Sequence, residues 1–225
     1  MKIVGLDLSM NSSGLVSLTL DDNLDILETK YEGFCSVKKH EADDIHLFRK
    51  KDYNNRYEMT EFASNIIVNF CEGADYVAIE DYAFGASGNL VDIGEFIGHV
   101  KMRLLHKFHK LRLYDPNSIK KYATGSGNSD KISMYHSYVK DTNIKPDISV
   151  LPAPNKASGI SPTSDIVDAY YIARLLQLEL KLRRGLVELK NYSLDEISIF
   201  NRVTKARPEN ILVRDFIYLS KVVPT

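Results

Sequence analysis

The chain has 225 residues, 44% hydrophobic and 26% charged, and its 29 basic against 30 acidic residues leave a net charge of -1. That length predicts one domain with a sizeable core, and the charge balance excludes a general pull towards nucleic acid or membrane, so a polyanion would need a local basic face. Two well-separated cysteines, Cys35 and Cys71, fit a reducing compartment, and no apolar run suits a membrane span or a secretion signal, so a cytoplasmic location is expected.

Residues 2–9 read as a strand and 13–20 as a second, joined by the polar turn Met10-Asn11-Ser12. After a turn at 21–23, residues 24–35 complete an antiparallel meander. The charged, aperiodic stretch 36–54 reads as a loop. From Asn55 to Cys71 the period is helical, with Met59, Phe62, Ala63, Ile66, Ile67 and Phe70 on one stripe and Gly73 ending it. DYVAIED, 75–81, is a short strand. A long helix follows over 89–109, with Leu90, Ile93, Ile97, Val100, Leu104 and Phe108 inward. LRLY, 111–114, is another strand, and Pro116 opens a helix to about 123. A Gly-rich turn leads to a helix near 129–141. The apolar run 161–184 is a helix with Ser161 as its expected cap and Pro162 in its first turn. This order predicts an α/β fold: a mixed five-stranded sheet, three antiparallel strands then two parallel, flanked by helices on both faces. Residues 1–184 form the domain and 185–225 a C-terminal extension. The parallel strands bring their C-terminal ends to one edge, where sites usually form.

Four acids interrupt the most apolar segments. Asp7 shares a strand face with Ile3 and Gly5, and an unpaired carboxylate in a buried strand costs several kcal/mol. Glu80 ends a second apolar strand. Asp165 and Asp168, three apart, fall on one face of the last helix. Each has an ordinary reading alone: a strand-end acid bonding backbone, or first-turn acids suiting a helix dipole. Together, with few histidines and no cysteine cluster, they suit Mg²⁺ or Mn²⁺ and two-metal chemistry on a phosphodiester.

Four stretches then resemble, in order, the motifs of the RuvC family of Holliday junction resolvases, within the RNase H-like superfamily. They are IVGLDLS, VAIEDYAFG, DPNSIKKYATGSGNSDK and SDIVDAYYIA. The resemblance covers residues 1 to about 184, and the chain is similar to small divergent members from bacteriophages. It implies a homodimeric crossover junction endodeoxyribonuclease that cuts branched DNA, leaving 5′-phosphate ends, with two Mg²⁺ or Mn²⁺ ions per site. Asp7, Glu80, Asp165 and Asp168 match the metal-binding acids, and Lys120 and Lys131 the lysines near the scissile phosphate. Tyr82 and Phe84 flank the place of a stacking aromatic. Leu8-Ser9 departs from the Pro-Gly that often follows the first acid of the family.

A basic face for DNA is expected from the acid-free stretch between Glu95 and Asp115, through Arg103, Lys107 and Lys110, with Lys121 added beside Lys120. A solvated helix back explains the same charges. The 89–109 helix suits a dimer contact as well. Two other functions share the leading strand with its acid: a nuclease on structured RNA similar to YqgF, and a sugar-kinase or actin-like ATPase. The ATPase needs a second Gly-rich phosphate loop, which this chain lacks.

Overall fold

The structure, a computed structural model, describes residues 1–35, 46–49, 53–81, 90–107, 110–141, 153–156, 159–193 and 198–200. In chain order the strands are β1 (Lys2–Asp7), β2 (Ser12–Leu20), β3 (Ile26–Cys35), β4 (His46–Arg49), β5 (Tyr76–Glu80) and β6 (Lys110–Tyr114). The helices are α1 (Arg56–Phe70), α2 (Leu90–His106), α3 (Pro116–Thr124), α4 (Lys131–Lys140) and α5 (Thr163–Arg183). The sheet order is β4-β3-β2-β1-β5-β6. The expected five strands are its core, with β1, β2 and β3 antiparallel and β5 and β6 parallel to β1 and to each other.

The sixth strand corrects one expectation. β4 lies inside the stretch read as a loop, and pairs parallel with the end of β3 from Glu32↔His46 to Cys35↔Arg49. Four residues are too few for alternation to show; the edge of β3 makes this strand, not its own pattern.

Alternation along β1 divides the core. Ile3, with Val16 and Leu18 of β2, faces α5, while Val4, Leu6 and Leu15 face α1 and α2. α1 begins at Asn55, whose side chain accepts from the backbone N–H groups of Tyr57 and Glu58. Its predicted stripe is buried apart from Phe62, which is partly so. α5 is apolar nearly all round because it is covered on both sides, by β1 and β2 beneath and by α3 and α4 above.

Two glycines set how closely α5 lies on the sheet. A Cβ on Gly5 would stand 2.3 Å from the carbonyl oxygen of Ala169, and one on Gly14 2.1 Å from that of Asp165. The helix therefore rests backbone on backbone across β1 and β2. The α2 glycines have no such function. Gly98 has no heavy atom within 4 Å of where its Cβ would be. Gly98→Ala is expected to stabilise the protein by up to about 1 kcal/mol through helix propensity, read as a higher Tm.

Glu179 of α5 is fully buried and ion-paired with Arg112 of β6 (2.9 Å) and Arg183, and it accepts from the Tyr114 hydroxyl (2.5 Å). Its charge is thus matched inside the core, and these partners hold its carboxyl below the usual range against the opposing effect of burial.

Two further expectations change. Ser161 does not cap α5: Pro162 holds that place without a side-chain bond, and the Ser161 hydroxyl bonds the Asp165 carboxylate instead. The packing also does not stop at 184. Ile199 and Phe200 are 2% and 1% exposed and belong to the α5-side core, with Val187 and Tyr192 packed against it. Two apolar residues in a mixed stretch show no period, so this docking had no sequence signature.

Candidate active site

β1 and β5 run in parallel register, Ile3↔Tyr76 to Leu6↔Ile79, and each ends one residue later, at Asp7 and Glu80. The two acids are therefore neighbours on one face at the C-terminal edge of the sheet. β2 turns back beside them, with Gly14 paired to Asp7. The turn is closed by Ser9 and Ser13: the Ser9 N–H donates to the Ser13 hydroxyl, which donates to the Ser9 carbonyl, each at 2.9 Å.

Because Gly14 carries no side chain, the first turn of α5 comes down onto this edge and brings Asp165 with it. Ser12 and Ser161 donate hydroxyl hydrogen bonds to the Asp165 carboxylate. One turn on, Asp168 is 4% exposed and ion-paired with Lys131, the first residue of α4. Lys120 of α3 stands near enough to Glu80 to act on its charge.

The electrostatics follow from this crowding. Asp7 is pushed well above the ordinary carboxylate range, first by burial and then by Glu80, while Lys131 pulls the other way. Burial also raises Glu80, against Lys131 and Lys120. Asp165 is raised by burial, with the bonds from Ser12 and Ser161 and the charge of Lys131 opposing. Two ammoniums, of Lys131 and Lys120, thus stand against four carboxylates. The donor set is entirely carboxylate oxygen, which fits a hard divalent cation. As placed, however, no group of three or more such side chains stands ready to hold an ion among the described residues.

The four acids and both lysines expected from the motifs are therefore brought to one edge. The wider basic face is not. β6 runs parallel to β5, so it points at the acids, and whatever precedes it lies at the opposite end of the sheet, roughly 13 Å away. Lys110 opens β6 there, with its ammonium 5.1 Å from the centre of the Tyr76 ring. Lys107 is exposed at the end of α2, close to the same place. Arg103 is turned inward and donates to the Ser64 hydroxyl of α1 at 2.6 Å. Lys121 donates to Ser198 at 2.9 Å and so ties α3 to the C-terminal segment. Tyr82 and Phe84 lie outside the described residues.

Ser12, Gly14, Ser161 and Gly159 were not expected at the site from the sequence. Ser12 read as turn and Ser161 as cap. The available signal was small residues on the face shared with Asp7, and it acquires meaning only once register is known.

A mixed sheet in this order, covered on both faces, with acids at the ends of β1 and β5 and on the last helix, defines the RNase H-like fold class. Among solved structures the chain is similar to RuvC of Thermus thermophilus, with a TM-score of 0.52 and 16% identity over 82% of this chain and 96% of that one. It is also similar to T. thermophilus RuvC in complex with Holliday junction substrate, with a TM-score of 0.54 and 17% identity over 83% and 97%. The fold is that of RuvC. No protein-family model matches the chain, and no curated protein does. Among the described residues no helix is long and apolar enough to cross a membrane.

Proposed function

We propose that this protein is a metal-dependent, structure-selective endonuclease that cuts branched DNA, four-way junctions above all, as a homodimer in the cytoplasm. One observation carries the reading: two strand ends and one glycine-seated helix turn bring Asp7, Glu80, Asp165 and Asp168 to one edge of the sheet, beside Lys131 and Lys120. The junction held by the similar RuvC structure supports DNA of this shape as the substrate.

Asp7, Glu80, Asp165 and Asp168 would hold Mg²⁺ or Mn²⁺, two ions per site. When bound, such ions activate water and neutralise the charge that develops on the leaving oxygen. Lys120 and Lys131 hold the phosphate against this edge and stabilise the charge that builds on its oxygens. The oxygen of water bonds to phosphorus as the P–O3′ bond breaks, leaving a 5′-phosphate and a 3′-hydroxyl. Ser12 and Ser161 keep Asp165 oriented towards the other acids. Tyr82 and Phe84, two and four residues beyond Glu80 in sequence, are the aromatics proposed to stack on unpaired bases, where a stacked base is worth about 1–3 kcal/mol. Residues 1–184 form the nuclease domain, and the extension beyond them packs on it through Ile199 and Phe200. A symmetric junction needs two matched cuts, which a C2 dimer supplies.

The test is cleavage of labelled four-way junction, fork, duplex and single-stranded DNA and a folded RNA, with Mg²⁺ and with EDTA. The junction should be cut in preference to the others, and only with the metal. Folded RNA cut at least as well, or ATP hydrolysis with no DNA cleavage, would refute the assignment.

A further inference from the structure

We infer that Lys131 is a resident counter-ion of the acid cluster which a divalent cation must displace from Asp168, so that loading the site and freeing this ammonium for a phosphate are one event. The inference rests on the reading of the four acids as metal-binding.

Lys131 is an unexpected residue at its position. It opens α4 directly after the Asp130 cap, where the helix dipole disfavours a cation. Its ammonium is placed by a stronger attraction, reaching across to Asp168 on α5. The same charge also acts on Asp7, Glu80 and Asp165.

The pose is built into the packing. Gly159 has φ +78, and a Cβ there would lie 2.9 Å from both Cβ and Cγ of Lys131 and 2.3 Å from the Ser164 hydroxyl oxygen. The lysine stem thus runs past a buried backbone that only glycine leaves open. Gly159 is a positioning residue: it touches the stem and acts through it.

The pairing is also reversible. The Lys131 side chain is 29% exposed against 6% for Asp168, so the ammonium has a way out to solvent while the carboxylate does not. Lys131, even with Lys120 beside Glu80, leaves four crowded acids under-neutralised, and a divalent ion neutralises them better. Two cations at one carboxylate repel each other, so binding of the ion and pairing of Lys131 exclude one another.

The experiment is a Mn²⁺ titration of metal-free wild type and Lys131→Gln, following the free-ion electron paramagnetic resonance signal. The variant should bind with Kd lowered about tenfold, because no ammonium competes. A second measurement uses wild type alone: acylation of Lys131, read by mass spectrometry, should rise several-fold on adding Mn²⁺. Equal or weaker binding by the variant, or labelling unchanged by the ion, would overturn the counter-ion role and leave the metal reading standing. No Mn²⁺ binding by either protein would overturn both.

Discussion

Asp7→Asn should abolish junction cleavage, by about 10³-fold or more, and at the same time raise the Tm of the metal-free protein. The two effects share one cause. Asp7 is held against Glu80 at the ends of two adjacent strands, and burial with that neighbour raises its carboxyl well above the ordinary value of 3.8. Between 3.8 and the raised value the folded chain binds more protons than the unfolded one. Stability therefore falls as pH rises across that window, and the full penalty is present above it. Asparagine does not ionise, so it removes the penalty while keeping the shape. Each kcal/mol regained is worth about 2–4 °C in a chain of this size. Calorimetry across the carboxylate range and above checks the sign: the gain should shrink at acid pH and widen as pH rises. Full cleavage by Asp7→Asn would refute the site, and a lower Tm above the window would refute the electrostatics.

The acids were legible for a physical reason. Apolar strands and an apolar helix expose a charge by contrast, so Asp7, Glu80, Asp165 and Asp168 each break a pattern that the surrounding residues make. Residues whose meaning depends on direction or on distant partners were not legible. Lys107 precedes and Lys110 opens a strand that points at the site, and their place in the sequence gave no hint that they fall at its far end. Arg112 lies in the same acid-free stretch between Glu95 and Asp115, yet it is buried against Glu179, 67 residues on. Ser161 has every local mark of a helix cap, but the acid four residues later takes its hydroxyl. Glycine inside a strand ordinarily reads as weakness. Gly5 and Gly14 read differently only when a helix about 150 residues away is seated on them.

Gly14→Ala should lower both stability and cleavage, and the two losses should be separable. The added Cβ would lie 2.1 Å from the Asp165 carbonyl oxygen, 2.2 Å from its carbonyl carbon and 2.6 Å from the Ile166 nitrogen. All three are backbone atoms in the first turn of α5, so no side chain can swing aside and the turn itself must lift. Overpacking of this kind costs about 1–3 kcal/mol, and contact with backbone puts it at the upper end. A fall in Tm of about 6–12 °C follows. The lifted turn carries Asp165 away from its bond with Ser12 and moves Asp168 relative to Lys131, while Asp7, opposite Gly14, stays on the sheet. Junction cleavage should therefore drop even well below the Tm of the variant, where nearly all of it is folded. Gly98→Ala serves as the control, since it adds the same methyl group to open space and should keep its activity. If Gly14→Ala melted with wild type and cut the junction at the same rate, the seating of α5 on β2 could not be what assembles the acids.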